Sequence, residues 1–164
     1  MSTYPETILE LLSAGADDAI AISAPGRTAL SYGALRAFLR ETLGTLRDMG
    51  AGRNDAVAIV LPNGPEMALS FFAVASGCTA APLNPSYRAD EFEFYLKDLD
   101  AKLLIVEAGK PTPAIDVAQK MGLALAELTP TQERGAGTFT LAMRNGSLPK
   151  ASKEAAVSED IALV

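Results

Sequence analysis

The chain has 164 residues, of which 49% are hydrophobic and 21% are charged, a composition typical of a globular domain and not of a disordered segment. Its 14 basic and 20 acidic residues give a net charge of −6, and the basic residues are scattered, so we do not expect nucleic acid as a partner. There is no histidine, which excludes every catalytic triad, general base and metal site that depends on that residue.

Residues 1–30 are predicted to form a short helix and a small hairpin. The helix falls within 6–12, where the apolar residues lie on one side. Two short apolar runs, 19–23 and 28–31, flank a Pro-Gly pair that favours a tight turn. The N-terminus lacks the basic start and the apolar core of a signal peptide, so the expected compartment is the cytoplasm.

Residues 31–128 are predicted to form an α/β core that begins with a long helix. Ser31 is a suitable N-cap for this helix, and apolar residues recur at helical spacing through 35–49. Gly50 is placed to end the helix in the left-handed conformation.

Short apolar runs follow at 57–61, 79–83, 103–106 and 123–128, and the segments between them have helical patterns. The runs are continuous and not alternating, as expected for parallel strands that are buried on both faces. The predicted fold class is therefore α/β, with a parallel sheet and flanking helices.

The helix after the first of these runs is expected to begin near Gly64 or Pro65, with Asn63 as a candidate cap. It is apolar almost all round, which predicts burial on two sides. The uncharged stretch 67–83 is interrupted by Ser, Gly, Thr and Pro, whereas a membrane span needs about 20 predominantly apolar residues, so we expect no membrane segment. Cys78 is the single cysteine and is expected to be a small buried residue without a disulfide or zinc role.

Beyond the predicted core, residues 129–158 are rich in Thr, Gly, Pro, Ser and charge. We predict a surface connection there, with at most a short strand at 139–143. Residues 159–164 start a further strand-like run, and the chain stops within it. Because natural termini usually complete an element or carry a polar tail, we expect the chain to be cut from a larger protein.

The residues alone form no recognisable catalytic centre. The loop after 57–61 lacks the G-x-G-x-x-G of dinucleotide-binding folds, and Asn63-Gly64 favours a turn over an anion cradle. The acidic pairs at 17–18, 90–91 and 159–160 stand at element starts, where carboxylates favour the helix dipole or face water. We therefore assign no catalytic and no metal-binding residue.

Three segments together resemble the N-terminal part of adenylate-forming enzymes, the superfamily of acyl-CoA synthetases, luciferases and peptide synthetases. These segments are 57–66 (VAIVLPNGPE), 80–87 (AAPLNPSY) and 91–106. The APLNP-x-Y sequence followed by EFEFYL-x-D is most similar to oxalate and related small-acid CoA ligases. Ala34 and the pair Arg53-Asn54 depart from the family pattern, where a Glu and a Pro-Gly are common.

The resemblance implies a parent enzyme that joins a carboxylic acid to CoA through an acyl-adenylate, with ATP and Mg²⁺. Residues 1–164 would be a single N-terminal subdomain of that enzyme, truncated before the phosphate loop. The phosphate loop, the acyl pocket and the catalytic Lys of the family would lie downstream of this chain. We therefore expect the isolated chain to be inactive and to bind none of these cofactors. Truncation would also leave apolar surface exposed, through which the chain could self-associate.

The resemblance also places Asn84, Tyr87 and Arg88 near the entrance where the CoA nucleotide rests. Arg88 is the only cation of that stretch that could meet a phosphate. The alternative is that Asn84-Pro85 forms a turn after a strand and that Arg88 is a solvated residue at a helix start. A second alternative concerns the whole chain, which could be a stand-alone binding or interaction module with a flavodoxin-like sheet.

Overall fold

The computed structural model describes residues 4–151 and 154–164. The N-terminal part contains helix α1 (Ile8–Leu12) and an antiparallel pair of strands, β1 (Ile20–Ile22) and β2 (Leu30–Ser31), which confirms the predicted hairpin. The predicted regions 1–30 and 129–158 include residues 1–3 and 152–153, which lie outside the described part of the chain. The division of the chain into four regions stays a prediction.

Helix α2 (Tyr32–Met49) has the ends that the sequence predicts. The Ser31 hydroxyl accepts a hydrogen bond from the Ala34 amide at 3.3 Å, and Gly50 follows the helix with a φ of 99°. The apolar side of α2 is buried. Its fully covered side chains include Leu35, Leu39 and Leu46.

The central sheet has five strands in the order β4-β3-β5-β6-β7. The strands are β3 (Ala56–Val60), β4 (Thr79–Pro82), β5 (Leu103–Glu107), β6 (Ala124–Pro130) and β7 (Phe139–Asn145). The first four are parallel, and β7 is antiparallel to β6. The strands are connected by α3 (Pro65–Ala75), α4 (Ala89–Asp98), α5 (Pro113–Met121) and a 3₁₀ turn at Gln132–Arg134.

Helices cover both faces of this sheet, and two apolar clusters result. Val57 and Ile59 of β3 face the cluster that contains the inner sides of α2 and α3. Ala58 and Val60 of the same strand face the cluster that contains α4 and α5. This burial on both faces explains the continuous apolar runs in the sequence. No helix of the described residues is long and apolar enough to cross a bilayer.

The start of α3 differs from the expectation in one respect. Gly64 and not Asn63 occupies the N-cap position, with an extended backbone and Pro65 in the first turn. Asn63 lies one residue too early for its side chain to reach the first free amides of the helix. The expected burial on two sides is confirmed, because α3 contacts α2 as well as β3 and β4.

The stretch after residue 128 contains a longer strand and more buried residues than the sequence suggests. Strand β7 is seven residues long, and Ala136, Thr138 and Phe139 are buried. The polar composition of this stretch conceals that burial. The Thr138 hydroxyl has the carbonyls of Thr131 and Gly135 within reach of its single proton, at 2.8 and 2.9 Å, and is thus satisfied internally. Phe139 packs edge-on against Phe38 of α2, with 4.9 Å between the ring centroids.

The predicted strand at 159–164 is present only as a single parallel bridge between Ala80 of β4 and Leu163. Its apolar side chains are not buried as the pattern suggests, since Ile161, Leu163 and Val164 are more than half exposed. The reason is that the segment lies at the edge of the sheet, outside β4. Its backbone forms hydrogen bonds with Ala80, but no described element covers its apolar side chains.

Candidate functional site

The candidate site lies at the carboxyl edge of the parallel sheet, where the loops after β3 and β5 diverge. The connection through α3 leads to β4 on one side of β3, whereas those through α4 and α5 lead to β5 and β6 on the other. In open α/β sheets such a change of direction opens a crevice between the two strands, and ligands bind there. The observed strand order places this crevice between the carboxyl ends of β3 and β5.

A cavity of about 170 Å³ occupies the crevice. Its walls are the loop at 61–66, Glu107 at the end of β5, and Leu128 and Pro130 of β6. Pockets that enclose a drug-sized ligand measure about 300–1,000 Å³. The cavity therefore accommodates one end of a larger molecule but does not enclose a nucleotide.

An arginine of the hairpin holds a carboxylate at the rim of this cavity. Arg27 Nη1 donates to Glu66 Oε1 at 2.9 Å, and Arg27 Nη2 donates to the Gly135 carbonyl at 3.3 Å. The two side chains are only 17% and 20% exposed. Glu66 also stands in the first turn of α3, where the helix dipole favours a negative charge. The pair therefore fixes the carboxylate and joins three distant parts of the chain.

The sequence carries no signal for the Arg27–Glu66 pair. The two residues are 39 positions apart and follow neither helical nor hairpin spacing. Only Glu66 is noticeable in the sequence, as an acidic residue beside Pro65 at a helix start. Its partner becomes evident only once the hairpin has packed against α3.

The three residues that the resemblance assigns to the CoA entrance follow β4. Asn84 Oδ1 accepts from the Ser86 amide at 2.9 Å, which is the side-chain turn expected of Asn at a strand end. The Tyr87 ring stacks on Tyr95 of α4, with 5.1 Å between centroids and 14° between planes. A hydrogen bond with the Tyr95 side chain, and partial burial, raise the pKa of Tyr87 above its ordinary value.

Arg88 marks the N-terminal end of α4 and is exposed. Its backbone amide donates to Glu91 Oε2 at 2.8 Å, so the acidic residue caps the helix start. Arg88, Asn84 and Tyr87 are thus brought together in one turn, but none of them lines the cavity between β3 and β5. Their role at a CoA entrance stays a prediction.

No group of three or more His, Cys, Asp or Glu side chains that could hold a metal ion occurs within 4–151 and 154–164. The carboxylates at the crevice, Glu66 and Glu107, are two at most, and Glu66 is engaged by Arg27. We assign none of the described residues to a metal.

Known proteins share both the sequence pattern and the fold. The sequence profile of AMP-binding enzymes matches residues 12–163. Oxalate–CoA ligase of Arabidopsis thaliana is 36% identical over 119 residues, which cover 71% of this chain and 23% of that protein. The probable CoA ligase CCL9 of Humulus lupulus is 34% identical over 137 residues, which cover 82% of this chain and 25% of that protein. The chain thus spans about a quarter of the length of these curated relatives.

Among solved structures, ATP-bound MatB from Rhodopseudomonas palustris has a similar fold. The TM-score is 0.67, with 21% identity, and the match covers 89% of this chain and 31% of that one. At this identity the likeness concerns the fold alone. It confirms the predicted α/β class. The sheet is mostly parallel, and β7 is the exception to the predicted parallel arrangement.

Proposed function

Because this chain belongs to the AMP-binding enzyme family, we propose that it is the N-terminal part of an ATP-dependent acid–CoA ligase. The enzyme would activate a carboxylate as an acyl-adenylate, with release of pyrophosphate, and then transfer the acyl group to the CoA thiol, with release of AMP. The main support is the 36% identity with an oxalate–CoA ligase over 71% of this chain. A small acid is accordingly the proposed substrate class. The family match does not favour the alternative of a stand-alone flavodoxin-like module.

The test uses the protein expressed from its complete reading frame. Pyrophosphate release from ATP is measured with oxalate, acetate and a longer acid, each with and without CoA. We expect acid-dependent release, AMP as the nucleotide product, and a thioester only when CoA is present. Release of ADP and phosphate, or no acid dependence with any of the three, would refute an AMP-forming ligase.

In this proposal the 164-residue chain supplies a folded subdomain and no reacting group. ATP, Mg²⁺ and the acid would be bound by parts of the enzyme outside it. The isolated chain should then release no pyrophosphate with any acid, in the same assay. Location in the cytoplasm and self-association through exposed apolar side chains also stay predictions, the second testable by sedimentation of the isolated chain.

We propose that the turn of Asn84, Tyr87 and Arg88 lies at the CoA entrance. The exposed Arg88 follows Tyr87, whose ring stacks on Tyr95. A cation next to aromatic rings suits a ligand with a phosphate group close to a flat base, as in the CoA nucleotide. In the complete enzyme, Arg88→Ala should raise the KM for CoA about tenfold, the effect of losing one charge-assisted hydrogen bond. CoA-independent adenylate formation should not change.

The control is Lys97→Ala, which removes a cation from the last turn of the same helix. An equal rise in KM for CoA in both variants would indicate a general charge effect. An unchanged KM in Arg88→Ala would remove Arg88 from the proposed entrance without affecting the assignment of the overall reaction.

A further inference from the structure

The loop that forms one wall of the cavity at the carboxyl edge contains Asn63 followed by Gly64. The side-chain amide of an asparagine can be attacked by the backbone nitrogen of the next residue, which makes asparagine one of the thermolabile residues of proteins. A glycine in the next position places no Cβ atom near that nitrogen and lets the backbone rotate freely. Asn-Gly is therefore the dipeptide in which this reaction meets the least hindrance.

The folded chain leaves both reacting groups accessible. Asn63 and Gly64 are exposed. Among residues 4–151 and 154–164, neither the Asn63 side chain nor the Gly64 amide has a hydrogen-bond partner. The pair lies outside regular structure, because β3 ends at Val60 and α3 begins at Pro65. The Asn63 side chain can therefore reach the Gly64 nitrogen without breaking a contact of the fold.

The fold does not require a glycine at position 64. The φ of Gly64 is 162°, which is extended backbone that other residues also adopt. A Cβ atom added there would lie 3.8 Å from Glu66 Oε2, at ordinary van der Waals distance. The Gly64 carbonyl accepts from the Ala68 amide at 3.1 Å, a bond that any residue at this position can form. Gly64→Ala can thus hinder attack at Asn63 without straining the loop.

A second Asn-Gly pair, Asn145-Gly146, is held by the sheet. Asn145 is paired with Leu125 in the ladder between β6 and β7. Its Oδ1 atom is buried. A Cβ atom added at Gly146 would lie 2.9 Å from Ala124 Cα, so the backbone is closely packed there. Ring closure at Asn145 therefore requires local opening of β7, whereas ring closure at Asn63 does not.

The remaining two of the four asparagines are disfavoured by their neighbours. Asn84 precedes Pro85, whose nitrogen carries no proton and cannot attack. Asn54 precedes Asp55 and not a glycine, and its side chain is hydrogen-bonded to Asp160. Sequence and structure together thus single out Asn63.

We propose that Asn63 is a site of spontaneous deamidation at the rim of this cavity. The Gly64 nitrogen bonds to Asn63 Cγ, the bond from Cγ to the side-chain nitrogen breaks, and that nitrogen leaves as ammonia with the proton of the Gly64 amide. A five-membered succinimide remains, and a water molecule opens it. Addition of water at Cγ gives aspartate, and addition at the main-chain carbonyl of residue 63 gives isoaspartate.

Either product changes the wall of the cavity. A carboxylate at position 63 joins Glu66 and Glu107, which already line it, and adds a negative charge. In isoaspartate the main chain runs through the former side chain and is longer by one carbon directly before Gly64, the N-cap of α3. The proposal concerns this loop and does not depend on the ligase reaction.

The two Asn-Gly pairs provide a test within one molecule. The protein expressed from its complete reading frame is incubated for several days at mildly alkaline pH, folded and in guanidinium chloride, and its peptides are analysed by tandem mass spectrometry. In denaturant, Asn63 and Asn145 should lose their amides at similar rates, because each precedes a flexible glycine. In the folded protein, Asn63 should keep a similar rate, and Asn145 should react at least about tenfold more slowly, because it must wait for local opening.

Two variants test the chemistry. Gly64→Ala should slow the reaction at Asn63 severalfold, because a Cβ atom hinders the attacking nitrogen, and should leave Asn145 unchanged. Its circular dichroism spectrum should match that of the wild type. The aged wild type should give two modified peptides, aspartate and isoaspartate, the first of which co-elutes with the peptide of Asn63→Asp.

Three outcomes would overturn the proposal. The first is an intact Asn63 in the folded protein under conditions that modify it in denaturant. The second is equal protection of Asn63 and Asn145 by folding. The third is a reaction at Asn63 that Gly64→Ala does not slow, which would exclude attack by the Gly64 nitrogen.

Discussion

Gly137 brings the loop before β7 against the first turn of α3, and its replacement tests how that loop supports the crevice. The residue has a φ of +84°. A Cβ atom added there would lie 2.5 Å from the Pro65 carbonyl oxygen and 3.0 Å from Leu69 Cδ1. The first of these contacts is to backbone at a helix start, which cannot rotate away. Gly137→Ala therefore displaces the loop or the first turn of α3.

The loss of stability expected from Gly137→Ala has two parts, and the same substitution at a second glycine measures one of them alone. The left-handed conformation alone costs an alanine about 1 kcal/mol, and forcing an extra carbon into a packed site costs about 2 kcal/mol more. Gly26, in the hairpin turn, has a φ of +69° and no atom within 4 Å of an added Cβ. Gly26→Ala should therefore lose about 1 kcal/mol of stability, and Gly137→Ala about 3 kcal/mol.

The assay is urea unfolding of both variants, followed by circular dichroism. The free energy of unfolding in water should differ by about 2 kcal/mol between them, with similar m-values. Equal losses in the two variants would refute the close approach of the loop to Pro65, since only that contact distinguishes the sites.

Three further measurements test the packing and the charges. Leu104→Ala empties a fully buried site on the sheet face that contacts α4 and α5, so the free energy of unfolding should fall by about 2–5 kcal/mol in the same urea assay. Ser31→Ala removes the acceptor for the Ala34 amide at the start of α2 and should cost about 1 kcal/mol, whereas Ser31→Asp should cost almost nothing. Hydrogen bonds from Arg53 and Arg134 hold the pKa values of Asp160 and Glu41 below their usual range. Both carboxylates therefore stabilise the folded state at a pH above their unfolded pKa of about 4. This stabilisation is lost as the pH falls through their folded pKa values. Protection of Val164 from amide exchange should therefore decrease in acid in the wild type and depend less on pH in Asp160→Asn.

Local signals in the sequence predict the helices of this fold well. Helix α2 has a capping serine, an apolar face and a terminating glycine within one continuous stretch, and the structure contains all three. The buried strands are equally evident, because strands that are buried on both faces have short continuous apolar runs bounded by turn residues. Local signals do not contain the order of the strands across the sheet. The crossover connections determine that order when the chain folds.

The polar stretch after β6 shows why burial there could not be predicted. Thr131 and Thr138 bond to each other at 2.9 Å, and each would indicate a loop when judged by residue type alone. Pairing gives both hydroxyl groups a partner in a part-buried contact, and that contact joins residues seven positions apart. Tyr87 and Arg88 are singled out through the family resemblance of one short stretch, and their role stays a prediction. Arg27 and Gly135, by contrast, are 108 residues apart, and no local stretch contains both.

The two edges of the sheet are held by different means, and this difference bears on the proposed ligase. At the carboxyl edge, Arg27, Glu66 and Gly137 fix the loops by buried or close contacts. At the amino edge, Asp160 and a few backbone hydrogen bonds hold residues 156–164 with little apolar burial. Ligands of α/β sheets bind at the carboxyl edge, where a rigid surface loses little entropy on binding. A cavity of about 170 Å³ there is too small to enclose a drug-sized ligand. In the proposed ligase this crevice would therefore supply at most a part of a ligand site.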